Sequence, residues 1–393
     1  MKNIFESAKE IENEIIEIRR TLHQNPEVGK VLPQTKKFVK NKLIEYGYEP
    51  HEICESGITA VIKGGNKNKT ILLRADMDAL SVKEATNLSF ASENGAMHAC
   101  GHDMHTAMLL GAAKLLKKYQ NYIDGTVKLV FQPDEEGFTG AKEMLKAGVL
   151  ENPHVDAGFA LHVHSSTPSG MLLCGLGTCM SGCTLFRITV KGKGCHGAMP
   201  ETGVDPINIA THIYQSLQTL NAREVSPLNP MVLTIGKFSG GEAPNIIPNE
   251  VVLEGSIRSM DKDLSQQILK RVEEIAEQTA SMFHGEAKVI EMASAPPLKN
   301  DADMVREIAE YLKEVYDSNK IILFDQGGMG SEDFASYTYE IPCSYLVLGA
   351  GTAQENELYG KPMHNDCVVF NESILPLGSA LHAYSAIRWL QEN

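Results

Sequence analysis

The sequence has no apolar run of bilayer length and no excess of basic residues. Its 393 residues carry a formal net charge of −14, which argues against nucleic acid or an anionic membrane as a partner, because either would require a basic patch. The amino-terminal stretch is interrupted by Glu6, Lys9 and Glu10, so it lacks the apolar core of a signal peptide. The sequence therefore predicts a cytoplasmic protein without a membrane or nucleic-acid partner.

Other absences narrow the function class. The eight cysteines include no CxxC pair, so we expect reduced, mostly buried thiols rather than a disulfide framework. No GxSxG elbow is present, which disfavours a serine hydrolase. A cysteine hydrolase is a weaker alternative, because Cys100 lies among other metal-ligand types. No internal repeat or low-complexity tract occurs, and this excludes a solenoid.

What the sequence does contain is a dense cluster of metal-ligand residue types in the segment MHACGHDMH, residues 97–105. These residues are His98, Cys100, His102, Asp103 and His105. Neutral imidazole and thiolate are the usual protein ligands of Zn²⁺ and similar divalent ions, and Gly101 allows a tight turn around an ion. A loop of exposed histidines with one buried cysteine is the alternative for any single residue, but the set predicts a metal site.

Short apolar strands are predicted to end at acidic residues. Asp76 and Asp78 follow the predicted strand 71–75, and Glu135 and Glu136 follow the strand in TVKLVFQP. Catalytic groups in open α/β sheets gather at the carboxyl ends of strands, so these carboxylates are candidates for the site. One carboxylate of an adjacent pair can bind a metal while the other moves protons. The alternatives are turn caps for the aspartates and helix-dipole acids for the glutamates.

Histidines occur at two further places. The predicted strand 157–163 carries His162 and His164 toward similar faces, so one of the two suffices as a ligand. His23 ends an amphipathic helix predicted over residues 7–23. We interpret His23 as a cap that interacts with the helix dipole rather than as a functional group.

The chain is long enough for two domains. The segments ITAVIKG and TILLRADMDAL, joined by a polar turn, predict a β-hairpin whose second strand lies inside a sheet. From about residue 184 the pattern changes to strands and helices with few candidate ligands. This predicts a compact α+β domain over residues 184–292, inserted into a metal-binding domain formed by residues 1–183 and 293–393.

Ten motifs in order carry a family resemblance. They are LHQNPEVG, RADMDAL, HACGHD, FQPDEEG, ALHVH, GKGCHGAMPETGVDP, APNIIPN, GSIRSMD, GSEDF and PMHND. Together they resemble the aminoacylase and carboxypeptidase superfamily of metallopeptidases, in its amidohydrolase branch of hippurate hydrolases, indole-acetyl-amino-acid hydrolases and N-acetyl-diaminopimelate deacetylases. The resemblance implies an α/β fold, with a mixed-sheet dinuclear metallohydrolase catalytic domain and an inserted α+β lid domain that mediates dimerisation.

The resemblance also implies roles for individual residues. The implied metal ligands are Cys100, His102, Glu136, His162 and His364. Glu135 matches the general base, and His196 matches a lid histidine that steadies the oxyanion. Asp76 and Asp78 stand where other branches have a His-x-Asp motif, so one ligand has moved to the Cys and His loop. Either aspartate could then orient a histidine ligand.

The expected function is hydrolysis of the amide bond of N-acyl amino acids, such as N-acetyl or N-benzoyl derivatives. The expected enzyme is a homodimer with two divalent ions per subunit, Mn²⁺ or Zn²⁺, with Co²⁺ and Ni²⁺ as alternatives. Glu135 would take a proton from the attacking water and return it to the departing nitrogen. Asn245 and Arg258 are candidates for the substrate carbonyl and carboxylate, although a surface salt bridge is commoner for a lone arginine.

Two alternatives remain at the level of sequence. One is a dipeptidase or carboxypeptidase of the same superfamily. The other is a non-catalytic protein that binds or stores metal through the same ligands. Glu135 separates the second from an enzyme, because storage has no use for an unligated carboxylate beside the metal carboxylate.

Overall fold

The computed structural model describes residues 3–393 of the chain. Its α-helices are α1 (Ile4–Glu10), α2 (Glu12–Gln24), α3 (Pro33–Glu45), α4 (His102–Lys118), α5 (Gly140–Lys146), α6 (Pro206–Thr219), α7 (Lys262–Met282), α8 (Ala302–Lys313) and α9 (Leu375–Glu392). Within residues 3–393, none of the helices combines the length and apolar character that a membrane span requires.

The strands are distributed along the whole chain. They are β1 (His51–Ile53), β2 (Gly57–Lys63), β3 (Thr70–Asp76), β4 (Thr126–Gln132), β5 (Ala157–His164), β6 (Leu172–Gly175), β7 (Thr178–Met180), β8 (Gly182–Lys191), β9 (Cys195–His196), β10 (Met231–Gly240), β11 (Ile246–Ile247), β12 (Glu250–Ser259), β13 (Glu286–Ala295), β14 (Leu298–Lys299), β15 (Ile321–Phe324) and β16 (Cys343–Gly349).

The chain forms two compact units. Unit 1 comprises the described residues up to Cys179 together with Lys299–Gln326 and Asp333–Asn393, and unit 2 comprises Met180–Leu298 and Gly327–Glu332. Arg258 shows why the short segment 327–332 belongs to unit 2, because its Nη1 donates to the Met329 carbonyl (3.0 Å) and to Ser331 Oγ (3.1 Å). In the domain bounds predicted from the sequence, this segment falls within residues 293–393 of the metal-binding domain.

An eight-stranded mixed sheet forms the centre of unit 1, in the order β1-β2-β4-β3-β5-β16-β6-β15. Its central strands β4, β3, β5 and β16 are parallel neighbours. Strands β3 and β4 are buried along their whole length, as expected for parallel strands covered on both faces. Helix α4 packs against β3 and α9, and these elements share one apolar core. The predicted α/β mixed-sheet fold is confirmed for this unit.

Two predictions about local structure were wrong. The predicted hairpin of β2 and β3 does not form, because β4 lies between them and pairs antiparallel with β2 and parallel with β3. The predicted first helix is divided into α1 and α2 at Ile11, whose φ and ψ of −105° and 12° leave the helical region. The predicted apolar face survives in α2, where Ile15, Ile18 and Leu22 are buried.

A four-stranded antiparallel sheet with the order β10-β12-β8-β13 forms unit 2. Alternate residues of β8, namely Phe186, Ile188 and Val190, are fully buried. They share a second apolar core with Ile213 of α6 and Val272 of α7. Period-two burial in the strands and an apolar stripe on each helix produce this α+β arrangement.

Candidate active site

Parallel pairing brings the chemically active strand ends of unit 1 to one edge of the sheet. Asp76, the last residue of β3, is in register with Gln132, the last residue of β4. Glu135 and Glu136 follow within a few residues, and His162 lies near the end of β5, the other neighbour of β3. The candidate residues therefore lie together at the carboxyl ends of these strands.

The start of α4 places the Cys and His loop at the same edge. Gly101 has φ +89°, and a Cβ there would lie 2.4 Å from Val163 Cγ2, so only glycine fits both the conformation and the space. Helix α4 begins at the next residue, His102. Cys100 is thus the last loop residue before the glycine, and His102 is the first residue of the helix. The side chains of both are buried.

Hydrogen bonds fix the proton positions of two imidazoles. His102 Nδ1 lies 2.9 Å from the carbonyl oxygen of Asp78, and His162 Nδ1 lies 2.6 Å from the carbonyl oxygen of Val163. Because a carbonyl only accepts, each Nδ1 carries a proton, and each Nε2 presents a lone pair when the imidazole is neutral. A backbone carbonyl behind the imidazole is the arrangement that orients histidine ligands in metal sites.

The remaining ligand types converge on the thiol of Cys100. Its Sγ lies 3.6 Å from His162 Nε2 and 3.3 Å from His364 Nε2, and His364 Nε2 lies 3.4 Å from Glu136 Oε1. His364 adopts φ +66°, a left-handed conformation that is costly for a residue with a Cβ and is typical of functional sites. All five predicted metal ligands therefore lie in overlapping groups whose ligand atoms are within 4.8 Å of one another.

This donor set fits divalent metal ions. Among the described residues, His102 Nε2 and Glu136 Oε1 are buried without a hydrogen-bond partner. Orphaned polar atoms are costly in a protein interior, and both belong to the predicted ligand set. A cation between them would satisfy both, and the mixture of thiolate, imidazole and carboxylate suits Zn²⁺ and its transition-metal neighbours.

The electrostatics of the site favour a cation. Burial lowers the pKa of His102, but the Asp76 carboxylate and the hydrogen bond to Asp78 outweigh burial and raise it well above the usual range. Burial, reinforced by the charge of Glu136, raises the pKa of the Cys100 thiol to about 12. Burial and the neighbouring His105 lower the pKa of His162 well below its usual range, which keeps that imidazole neutral. A metal that binds Cys100 must therefore displace its proton.

The two aspartates serve as supports in this geometry. Asp76 Oδ1 lies 2.6 Å from His105 Nδ1, and its Oδ2 lies 3.8 Å from His102 Nε2. The Asp78 carboxylate accepts the backbone N–H groups of Glu135 (2.9 Å) and Glu136 (3.2 Å). Asp78 therefore holds the turn that carries both glutamates, and Asp76 orients a histidine.

Glu135 lies beside the predicted ligands. Its side chain is 6% exposed, and Oε2 is 3.8 Å from His102 Nε2. It forms a group with His102 and Glu136 whose ligand atoms lie within 4.8 Å. The residue before it, Asp134, has φ +58°, so the chain turns sharply directly after β4. The acidic pair thus follows a strained residue, with Glu135 buried and Glu136 half-buried.

Two other candidates lie together in unit 2. Strands β9 and β11 pair His196 with Ile246, and Gly197 N donates to the carbonyl oxygen of Asn245 (2.8 Å). The Ala198 N–H donates to His196 Nδ1 (3.1 Å), so the imidazole is protonated on Nε2 when neutral. His196 is exposed and lines a cavity of about 660 Å³ within this unit. Arg258 does not lie in this group, because its guanidinium binds the segment 327–332.

His23 and Asp103 form a buried pair that the sequence does not indicate. His23 lies in the last turn of α2, where the cap was predicted, but its ring is buried and contacts two carboxylates. Its Nδ1 lies 2.7 Å from Asp103 Oδ2, and its Nε2 lies 3.1 Å from Glu84 Oε1. Arg19 Nε donates to the same Asp103 oxygen at 2.7 Å. Arg19 and His23 are four residues apart on one face of α2, a spacing that could have indicated a shared partner.

His105 shows why one member of the dense cluster is not among the predicted ligands. Its Nδ1 lies 2.6 Å from Asp76 Oδ1, and its Nε2 accepts the backbone N–H of Val163 at 2.9 Å. Both ring nitrogens are therefore engaged by protein groups. His105 supports Asp76 and β5 instead of presenting a free lone pair.

Comparison with known proteins agrees with this geometry. Residues 72–384 match the family described as Peptidase family M20/M25/M40. The chain is 35% identical over 395 residues to thermostable carboxypeptidase 2 of Saccharolobus solfataricus, covering 99% of this chain and 98% of that protein. It is 35% identical over 391 residues to hippurate hydrolase of Campylobacter jejuni, covering 99% and 100%.

A solved structure is also similar over nearly the whole chain. It is the YXEP protein of Bacillus subtilis, described as a dinuclear metal-binding peptidase of the M20 family, with a TM-score of 0.79 and 31% identity over 98% of this chain and 99% of that chain. The resemblance inferred from the ten motifs is thereby confirmed. The chain belongs to peptidase family M20/M25/M40 and is a metal-dependent hydrolase of the amidohydrolase and peptidase type.

Proposed function

We propose that this protein hydrolyses the amide bond of N-acyl amino acids, releasing a carboxylic acid and a free amino acid. The observation that carries the proposal is the pair of adjacent glutamates, of which Glu135 is buried and Glu136 is half-buried. Glu136 Oε1 has no hydrogen-bond partner among the described residues and lies 3.4 Å from His364 Nε2, whereas Glu135 lies beside His102. One carboxylate can bind metal while its neighbour remains available for proton transfer.

The proposed metal ligands for two divalent ions are Cys100, His102, Glu136, His162 and His364. Bound there, Mn²⁺ or Zn²⁺ would lower the pKa of water and polarise the amide carbonyl. The thiolate and imidazole donors favour a transition metal or zinc over magnesium or calcium. Co²⁺ and Ni²⁺ suit the same donors and belong in the test.

Glu135 is the proposed general base. Its carboxylate takes a proton from the attacking water and then donates that proton to the amide nitrogen, which leaves as an amine. The Asp78 carboxylate supports this role, since it holds the backbone of Glu135 in a buried turn. Asp76 supports the site through His105 and through its charge near His102.

The donor for the developing oxyanion is proposed to be His196. Its Nδ1 accepts a backbone N–H, which leaves the Nε2 proton available as a donor. Asn245 adjoins the same loop and is the proposed contact for the substrate carbonyl. Arg258 is a weaker candidate for the substrate carboxylate, because part of its donor capacity is used within unit 2.

We also propose that the protein acts as a homodimer through unit 2. Strand β10 lies at an edge of the four-stranded sheet, and Val232 and Phe238 on it are 41% and 44% exposed. An edge strand with exposed apolar side chains is a natural site for pairing with a second copy. In such a dimer, His196 would act in the site of the partner subunit.

A carboxypeptidase or dipeptidase is the second candidate, and the similarity to a thermostable carboxypeptidase supports it. A panel assay separates the two. Chelated protein is reloaded with Mn²⁺, Zn²⁺, Co²⁺ or Ni²⁺ and tested on N-acetyl, N-benzoyl and indole-acetyl amino acids alongside dipeptides. We expect N-acyl amino acids to be the faster class.

The Glu135→Gln protein, purified in parallel, is the control for contaminating hydrolases. Faster turnover of dipeptides would favour the second candidate. Turnover of neither class by protein that holds two ions per chain would contradict the proposed function.

A further inference from the structure

Asp333 is a buried carboxylate to which neither the motifs nor the metal site assigns a role. It is 1% exposed and is the first residue of unit 1 after the chain returns from unit 2. A buried charge of this kind requires partners, because desolvation of a carboxylate is costly. The partners of Asp333 connect it to the proposed base.

The side chain of Asp333 is held by donors from three elements. Its Oδ1 accepts from Arg74 Nη2 at 2.8 Å and from Gln132 Nε2 at 2.7 Å. Its Oδ2 accepts from Gln132 Nε2 at 2.8 Å and from the backbone N–H of Ala141 at 2.8 Å. Residues of β3, β4 and the first turn of α5 therefore fix this carboxylate in one position.

The backbone of Asp333 contacts the proposed general base, Glu135. Its N–H donates to Glu135 Oε1 at 3.2 Å. The other carboxylate oxygen of Glu135, Oε2, is the one that lies 3.8 Å from His102 Nε2. A donor on one oxygen thus determines which oxygen faces the proposed metal ligands.

Arg74 connects Asp333 to Asp76, the aspartate that binds His105. Its Nη1 donates to Asp76 Oδ2 at 2.5 Å while its Nη2 binds Asp333, and its side chain is 2% exposed. Asp76 in turn binds His105. One planar guanidinium therefore sets the distance between the two carboxylates, which a point donor such as lysine cannot do.

We infer that Asp333 is a positioning residue for the general base Glu135. It acts through its backbone N–H, whose location is set by the contacts of its side chain with Arg74, Gln132 and Ala141. This inference rests on the proposed role of Glu135. A base must lie within hydrogen-bond reach of the water that it deprotonates, so a shifted Glu135 reduces the chemical step more than substrate or metal binding.

The test is Asp333→Asn, assayed with two ions per chain on the panel substrate that the wild type hydrolyses fastest. The substitution replaces one of the two carboxylate oxygens by an NH₂ group. In either orientation of the amide this NH₂ group faces a donor, Arg74 or the Ala141 N–H, so the side chain must move. Arg74 keeps Asp76 as its counterion, which favours folding of the variant. We expect kcat to fall about tenfold to a hundredfold, as a misplacement of about 1 Å commonly costs, with KM and metal content unchanged.

A second variant, Gln132→Met, removes both side-chain hydrogen bonds from Gln132 to Asp333 without changing any charge. This variant replaces Asp333→Asn in the test if that protein does not fold. We expect it to lower kcat by a smaller factor than Asp333→Asn does, again with KM and metal content unchanged. The matched control is Asn300→Ala, which removes buried hydrogen bonds to Gly175 and Tyr345 in unit 1. That control should lose stability and keep its kcat.

Three results would overturn the inference: unchanged kcat in both variants, loss of kcat in proportion to lost metal, or an equal loss of kcat in Asn300→Ala. Failure of the proposed function gives a different result. In that case the wild type itself hydrolyses no substrate of the panel, or Glu135→Gln remains active.

Discussion

Both units of the chain are built from helices and strands, but they hold the candidate site residues in opposite ways. In unit 1, Asp76, Asp78 and His102 are at most 1% exposed, and protein groups engage both carboxylates. In unit 2, His196 is exposed on a two-residue strand and is held by one hydrogen bond to its ring. The first arrangement suits fixed ligands and a fixed base, and the second suits a single donor on a loop.

Sheet topology explains the difference. Four neighbouring parallel strands of unit 1 send their carboxyl ends to one edge, so side chains from distant parts of the sequence meet there. Neighbouring strands of unit 2 are antiparallel, so successive carboxyl ends alternate between opposite edges. Antiparallel pairing cannot collect strand ends in the same manner, and the candidate site residues of unit 2 are correspondingly few.

The largest expected effect is at Glu135. Glu135→Gln keeps the shape of the side chain but cannot accept a proton from water, so we expect kcat to fall by about 10² to 10⁴ with metal content unchanged. Glu136→Gln should instead weaken metal binding, because its Oε1 belongs to the proposed ligand set. Steady-state kinetics and metal analysis of both variants check this. A Glu135→Gln protein with more than a tenth of wild-type kcat would mean that the base lies elsewhere.

The second effect concerns the buried ion pair behind the Cys and His loop. Asp103 is fully buried between Arg19 and His23. Removal of one partner of a buried pair typically costs about 3 to 5 kcal/mol of unfolding free energy, and we expect a loss of this size for Asp103→Asn. Urea unfolding at a fixed metal concentration measures it.

The loss should depend on pH in a defined direction. Burial raises the pKa of Asp103, but the charges of Arg19 and His23 outweigh burial and hold that pKa far below its usual range. A carboxyl with a depressed native pKa contributes stability above its unfolded pKa of about 3.9 and loses it as the pH falls. The difference between wild type and Asp103→Asn should therefore be full at neutral pH and shrink below about pH 4. A difference that grows in acid would contradict this account.

Local patterns predicted much of unit 1 correctly. The acidic residues after β3 and β4 and the histidine near the end of β5 follow apolar strands, and parallel topology brings them together as the sequence indicated. Residue type was also informative for the Cys and His loop, since Cys100 and His102 are chemically unusual as neighbours on a buried turn. Residue type and local periodicity were sufficient to predict these positions, because each candidate residue lies at the end of its own strand or at the start of its own helix.

What the sequence could not indicate depends on pairing over long distances. The segments β2 and β3 look like a hairpin, yet β4, which begins at Thr126, takes the place between them. His23 looks like a helix cap, and its partner Asp103 lies 80 residues away in sequence. Asp333 contacts Gln132 across 201 residues. No local pattern encodes such contacts, which form only when the sheet is assembled.

The third effect tests whether the loosely held histidine of unit 2 takes part in catalysis. An imidazole that donates to the oxyanion contributes only in the transition state, so we expect His196→Ala to lose about 10² to 10³ in kcat. His212→Ala is the control, because His212 is another histidine of unit 2; it is half-buried, and its ring lies 2.9 Å from a backbone carbonyl of its own helix. A nearly silent His196→Ala would make this residue a surface histidine.

The proposed dimer allows a second experiment, which tests whether His196 acts in the site of the partner subunit. His196→Ala and Glu135→Gln subunits are mixed, each inactive alone. If His196 acts in the site of the partner subunit, one site of each hybrid dimer keeps both wild-type groups and activity returns. Hybrid dimers that form and remain inactive would show that His196 works within its own subunit or not at all.

The smallest effect is expected at a surface ion pair of unit 2, which serves as the counterpart of Asp103. Arg271 binds Glu224 through Nε at 2.7 Å and Nη2 at 3.0 Å, and the two side chains are 39% and 36% exposed. Exposed pairs are screened by water and salt and contribute little, and Arg271 also keeps Glu274 as a partner. Glu224→Gln should therefore leave the thermal midpoint and kcat unchanged. If it destabilises the protein as much as Asp103→Asn does, burial is not what distinguishes the charges of the two units.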